Sequence, residues 1–309
     1  MDDVDVGMVT FNTRDVTVDA LERFVASTSD LPVRLLVHDN ASTDGSAAAI
    51  RERFPTADVV AGERNVGFAA GMNRLIERSS APWFLALNSD AWPEPGAIET
   101  LVATGGEHPS AAAVAPRLLR PDGSLEHSTL PFPSLAVAAI TAIGGYQRLL
   151  PKRSRRLALV GAWNHDEARE VDWAVGAALL IRRSALDAVG GFDESFFMYA
   201  EDLEWCWRAR TRGWTIRFEP SAVVRHLGNV SGAKVYGRDR TKAHVENSYR
   251  FYRREHGRAA TIAYRAMNVL GCGRLYVLAR LRRDEEARAE WADHVRAHLS
   301  ARTEARVRV

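Results

Sequence analysis

The sequence predicts an α/β fold: a mostly parallel sheet with helices on both faces, followed by a C-terminal helical region. Three observations carry that expectation. Short apolar runs alternate with amphipathic helical stretches from the first residues, which is the rhythm of βαβ units. The loops after those runs are rich in Asn, Asp and Ser, and ligands of parallel sheets bind at the carboxyl ends of the strands. From about Arg238 the pattern turns helical and arginine-rich, which divides the chain into a 1–237 α/β domain and a 238–309 helical region.

Taken in order, residues 4–11 read as a strand and 16–27 as an amphipathic helix. A strand at 33–38 leads to a helix at 46–54, then a short strand at 57–61, a helix at 69–79 and a strand at 83–87. The first strand runs out into Thr10, Phe11 and Asn12. The second runs into Asp39, Asn40 and Ser42, and the WFLAL strand into Asn88, Ser89 and Asp90. Turn and cap chemistry explains each loop singly. Three such loops on one edge of one sheet mark a site. RNVGFAAGMN, residues 64–73, opens a helix with two glycines, and its backbone N–H groups are expected to face a phosphate. Close packing of elements explains the same spacing. A strand-like run at 222–225 ends beside His226.

The chain has 309 residues, 46% hydrophobic and 26% charged, enough for a sizeable core. A net charge of +2 gives no footing for nucleic acid. Cys206 and Cys272 form no CxxC pair and no zinc cluster, which fits a reducing, cytoplasmic compartment. The acidic start MDDVDVGMVTFN goes straight into a strand-like run and lacks a signal peptide's basic region. No apolar run reaches the roughly 20 residues of a membrane span. The stretch 135–143 is too short, and 262–281 is interrupted by Arg265, Arg274 and Arg280. That second stretch and the basic run 148–156, RLLPKRSRR, fit either a solvated surface or a peripheral contact with the inner membrane face. Residues 302–309 are expected to fray.

The segment GGFDESFFMYAEDLEWCWR, residues 190–208, sets the adjacent carboxylates Glu201 and Asp202 among large aromatic side chains. A desolvated carboxylate has a raised pKa and can act as a base. A helix N-terminus, where the dipole favours acids, explains the same pair. Asp90, at a strand end, suits a hard divalent cation that keeps water and phosphate ligands. His226 is either structural or a third point beside Asp90 and Asp202.

These segments, in this order, resemble the family-2 inverting glycosyltransferases of GT-A fold, a Rossmann-like nucleotide-binding architecture. Within them the chain is most similar to bacterial rhamnosyltransferases of cell-wall and polysaccharide assembly. The matching pieces are VTFN, VHDNASTDGS, RNVGFAAGMN, LALNSDAWP, the long stretch VGAALLIRRSALDAVGGFDESFFMYAEDLEWCWRARTRGW, and VVRHLG, spanning about residues 6–228. The resemblance implies that Thr10, Phe11 and Asn12 line a nucleotide pocket. Asp39 would take a hydrogen bond from the pyrimidine, with Asn40 and Ser42 nearby. Asn65, Gly67 and Asn73 would hold nucleotide and sugar, and Gly176 would leave room for donor or acceptor. Asn88 and Ser89 would border the donor, and Asp90 and His226 would ligate Mg²⁺ or Mn²⁺. Asp202 would be the general base, with Glu201 shaping the acceptor site.

Asn88 stands where the family's metal motif has its first acid, so that site carries one charge fewer. The implied reaction moves a sugar, L-rhamnose from a dTDP donor or another sugar from a UDP donor, to a glycan or polyprenyl-pyrophosphate-linked acceptor. A homo-oligomer is compatible with it. Two rivals stand beside this reading. A nucleotidyltransferase would carry a glycine-rich loop after the first strand, which Thr10-Phe11-Asn12-Thr13-Arg14 is not. An inactive scaffold of the same fold would not need Asp39, Asp90, Asp202 and His226 together.

Overall fold

The computed structural model describes residues 3–28, 32–144, 163–228 and 230–303, and the basic run 148–156 lies outside them. The chain forms two compact units. One comprises Met1–Leu130 and Asn164–Val235, the other Pro131–Trp163 and Tyr236–Val309.

The first unit opens with β1 (Val4–Thr10), α1 (Arg14–Thr28), β2 (Val33–Asp39), α2 (Ser46–Arg53), β3 (Asp58–Ala61), α3 (Phe68–Arg78) and β4 (Trp83–Asn88). Each lies within two residues of its sequence reading. Then follow β5 (Ala91–Pro93), α4 (Ala97–Glu107), β6 (Ala111–Leu119), β7 (Leu125–Glu126) and β8 (Thr129–Leu130), with α5 (Leu135–Ile143) in the second unit. The first unit resumes with β9 (Arg169–Val171), β10 (Trp173–Ala174), β11 (Ala178–Arg182), α6 (Arg183–Val189), α7 (Glu201–Thr211), β12 (Thr215–His226) and α8 (Val230–Tyr236).

Among the described residues the main sheet runs β3-β2-β1-β4-β11-β6-β12-β5, with β7 on β6 and β9 on β12. β1 pairs in parallel with β2 and β4, β2 with β3, and β6 with β12. β11 enters antiparallel between β4 and β6. β1 is buried along its whole length, as a strand covered on both faces must be. Leu21 and Phe24 of α1 and Ile50 of α2 pack on Val6, Met8, Val37 and Leu85. Register then aligns the strand ends. Thr10 pairs with Asp39 and Val9 with Asn88, so the three polar loops emerge side by side at one edge. A bulge in β12 between Glu219 and Val223 bends its end, and the Leu227 N–H reaches the Asp90 carbonyl at 2.9 Å.

The second unit is helical. α9 (Arg240–Arg282) breaks at Gly257, whose φ of 81° and ψ of 176° interrupt the helix. Left-handed Arg283 ends it, and Asp284 caps α10 (Glu285–Ser300) by accepting from the Ala287 N–H at 3.0 Å. α10 packs back on α9 through a 2.7 Å bond between the Tyr249 hydroxyl and His298 Nδ1, while Tyr252 and Tyr264 stack across the break in α9. α5 docks on α9, where Arg274 Nε donates to the Ala142 carbonyl at 2.8 Å. The first residues of the stretch expected to fray are held: Arg302 N–H donates to Glu246 at 3.1 Å, and Arg253 to the Thr303 hydroxyl at 2.9 Å. Among the described residues no helix is long and apolar enough to cross a membrane.

Candidate active site

At the end of β1 the buried Thr10 hydroxyl sits 3.0 Å from that of Thr13 and 2.9 Å from that of Thr17, which seats α1 against the strand. Phe11 is half-buried. Asn12 adopts a left-handed φ of 51° and ties the first two loops together. Its N–H donates to Ser42 Oγ at 2.9 Å, and its Oδ1 accepts from the Thr43 N–H at 2.8 Å. Asp39 is buried at the end of β2. Its Oδ1 accepts from the Ser42 N–H at 2.8 Å, but its Oδ2 is buried with no hydrogen-bond partner. Such an atom is costly, and the position lacks one N–H or O–H donor.

The loop before α3 is built by asparagines. Asn40 donates to the Gly67 carbonyl and accepts from the Val66 N–H, both at 3.0 Å, while Asn65 Oδ1 accepts from the Gly67 N–H at 2.9 Å. The Phe68 N–H donates to the Phe197 carbonyl at 2.7 Å. Of the N–H groups expected to face a phosphate here, those of Val66, Gly67 and Phe68 are therefore taken up within the protein, because the loop closes on its own side chains and on residue 197. Gly67 has φ 91°, and a Cβ on it would overlap the Phe197 carbonyl oxygen, so only glycine fits. Asn73 engages both ends of its amide with Phe192, at 2.8 Å each way, and clamps α3 to the loop that precedes Glu201.

That loop is held from α7. Trp205 Nε1 donates to the Gly190 carbonyl at 2.9 Å. Arg208 donates to the Val189 and Gly191 carbonyls at 2.7 and 2.6 Å, with its Nε 2.8 Å from both oxygens of buried Glu204. Tyr199 and Ala200 then take consecutive left-handed conformations, φ 74° and 70°. Each costs about 1–3 kcal/mol, the kind of strain that marks functional loops.

They deliver Glu201 and Asp202 into the first turn of α7. Asp202 Oδ2 accepts from the Gly176 N–H at 2.8 Å and Oδ1 from the Leu203 N–H at 2.7 Å. Burial raises the Asp202 pKa, and those two N–H groups oppose the rise. Glu201 has a buried, unpartnered Oε2. Burial first, and then the Asp202 charge, push its pKa well above the carboxylate range. Gly176 thus supports Asp202 through its N–H, and a Cβ there would lie 3.4 Å from the Asp202 Cβ, in ordinary contact.

Asn88, Ser89 and Asp90 turn the chain from β4 into β5, and the Asn88 N–H donates to the Ala177 carbonyl at 2.9 Å, next to Gly176. Asn88 Nδ2 lies 3.3 Å and Asp90 Oδ1 3.2 Å from His226 Nε2. Glu126 Oε2 is 3.0 Å from His226 Nδ1. Burial lowers the His226 pKa, but hydrogen bonds and charge from Asp90 and Glu126 outweigh it and raise it to about 9. Among the described residues no three His, Cys, Asp or Glu side chains are arranged to hold a metal by themselves. Asp90 and His226 do fit a divalent cation that takes its other ligands from water and phosphate, with Glu126 fixing the imidazole orientation. Glu126 is the residue sequence reading missed. Its signal is the Pro121-Asp122-Gly123 turn, which folds β7 back on β6 and sets Glu126 opposite Leu118.

The model of glycosyl transferase family 2 matches residues 5–160, and that of glycosyl transferase family 21 matches residues 164–246. The chain is 34% identical over 253 residues to N-acetylglucosaminyl-diphospho-decaprenol L-rhamnosyltransferase of Mycobacterium tuberculosis, covering 76% of this chain and 80% of that protein. It is 31% identical to pre-mycofactocin glycosyltransferase of the same species, over 69% of this chain and 43% of the relative. Among solved structures, a mannosyltransferase from Pyrobaculum calidifontis in complex with GDP-Man and Mn²⁺ shares the fold. Its TM-score is 0.58 at 17% identity, over 96% of this chain and 85% of that one.

Proposed function

The chain belongs to glycosyl transferase family 2, and we propose that it transfers L-rhamnose from a nucleoside-diphosphate donor to a polyprenyl-diphosphate-linked sugar. The observation that carries the donor reading is the buried, partnerless Oδ2 of Asp39. The N3–H of thymine or uracil supplies the one donor that this oxygen lacks. Both bases present that edge, so dTDP and UDP donors are alike here, and rhamnose rests on the 34% identical relative.

In the proposed reaction Asp202 removes the proton from the acceptor hydroxyl. The Gly176 and Leu203 N–H groups fix its two oxygens and favour its ionised form. The oxygen attacks the anomeric carbon on the face opposite the departing diphosphate, so configuration inverts. Burial and the Asp202 charge favour the protonated form of Glu201, which limits negative charge where the acceptor must bind. Asp90 and His226 are the residues that would hold Mg²⁺ or Mn²⁺, which when bound neutralises charge growing on the leaving diphosphate. Asn88 supplies an amide where a second acid would stand. An acceptor with a polyprenyl tail puts the work at the inner face of a membrane, with the chain peripheral to it.

Thermal stabilisation by dTDP-rhamnose, UDP-galactose, UDP-GlcNAc and GDP-mannose, each with and without Mn²⁺ or Mg²⁺, tests this reading. A pyrimidine donor present at a hundredfold excess over its Kd stabilises the fold by about 2.7 kcal/mol. The expected pattern is a metal-dependent shift with dTDP-rhamnose and none with GDP-mannose. No shift with any donor defeats the proposal.

A further inference from the structure

Past its break at Gly257, α9 carries a face that none of the described residues of its own unit covers. Ile262, Leu270, Val277 and Leu281 are exposed by 63%, 62%, 52% and 74%. Their spacing of eight, seven and four residues puts them on one arc of roughly 100°, extended over roughly 29 Å. Exposed Ala266 lies within that arc. α5, packed on α9, adds exposed Leu135 and Ile143 to the same unit. Apolar side chains lined up on this scale mark a docking surface.

The charge says what docks. Residues 256–283 contain six arginines and no Asp or Glu. Arg265 and Arg274 turn inward, donating to the Ala301 and Ala142 carbonyls, whereas Arg258, Arg280, Arg282 and Arg283 are exposed. A second copy of the chain is the weaker occupant. A two-fold contact sets like against like and would bring these arginines against their own copies.

We propose that this half of α9 lies in the plane of an anionic bilayer, its apolar stripe inserted below the headgroups and its exposed arginines on lipid phosphates. This deepens the membrane-linked acceptor proposed above and rests on that reading for its purpose, not for its physics. The interaction is the one amphipathic interfacial helices make: buried apolar area plus attraction to anionic lipid.

Co-sedimentation of the full chain with phosphatidylglycerol–phosphatidylcholine vesicles, and with phosphatidylcholine alone, tests it without donor or acceptor present. The chain is expected to pellet with the anionic vesicles at low salt and to be released at high salt. Leu270→Gln with Leu281→Gln, and separately Arg280→Glu with Arg282→Glu, each lower the bound fraction by about tenfold or more. All four side chains are exposed, so melting temperatures stay at the wild-type value. Failure of the wild type to pellet, or unchanged pelleting of both double variants, overturns the proposal. So does a dimer in light scattering that the leucine variants dissolve while vesicle binding is absent. An inactive transferase would leave this partition untouched, so the two readings fail separately.

Discussion

Asp202 and Glu201 are neighbours in sequence and in burial, yet their surroundings separate them. Two backbone N–H groups stabilise the Asp202 carboxylate, whereas Glu201 keeps an oxygen without a partner. Asp202→Asn is expected to cut turnover by about 10²–10⁴-fold, while donor-induced thermal stabilisation stays at the wild-type value. Glu201 binds its proton more tightly in the folded state than in the unfolded state. Its stabilising contribution is therefore full at acid pH and is lost as pH rises above 4.5 through the raised folded pKa. Glu201→Gln accordingly raises the melting temperature relative to wild type at about pH 8 and leaves it unchanged at about pH 4. The acids proposed to act were legible because each stands where a strand ends or a helix begins, positions that local pattern reveals. Glu126 was not, since its role depends on β7 folding back to meet His226. The orphaned Asp39 oxygen is equally invisible in sequence, because partnership is a property of tertiary contacts.

The element that matters most is the loop between α6 and α7, pinned by Arg208, Trp205 and Asn73. Arg208→Ala frees two loop carbonyls and removes the Nε–H bond shared by both oxygens of buried Glu204. The expected cost is about 3–5 kcal/mol, read by denaturant unfolding. Gly67→Ala forces a left-handed Ala against the Phe197 carbonyl and is expected to cost at least about 1–3 kcal/mol and to weaken donor binding, read as a lost ligand-induced thermal shift. In the second unit, burial first and then the charges of His294, Arg265 and His244 lower His298 to about 4. Its stabilisation is present above the ordinary value of 6.5 and fades as pH falls from there through about 4. Acid titration monitored by hydrogen exchange is expected to open the α9–α10 contact in that window, and His298→Gln to flatten the response. Elements up to β4 were readable because their apolar period is unbroken. The antiparallel entry of β11 was not, because the buried run ALLIR has the same composition whichever way its strand points.

At the scale of the molecule, parallel register gathers the ends of β1, β2 and β4 at one edge, and β12 brings His226 to the β4 end. Alternation of apolar strand runs with amphipathic helices implies such an edge by itself, which is why the fold class was legible. The grouping of 131–163 with the C-terminal helices was not, since nothing local in α5 signals its packing on α9. The proposed metal dependence belongs to this scale as well, because Asp90 and His226 are brought together from distant parts of the chain and would need further ligands from a diphosphate and water. The most direct test is transfer of L-rhamnose from its dTDP donor to a polyprenyl-diphosphate-linked GlcNAc in the presence of Mg²⁺, with wild type and Asp202→Asn compared and the product's anomeric configuration read by NMR. The account predicts an inverted rhamnosyl product from the wild type and a loss of about 10²–10⁴-fold in the variant. No transfer by the wild type, or equal transfer by Asp202→Asn, would contradict it.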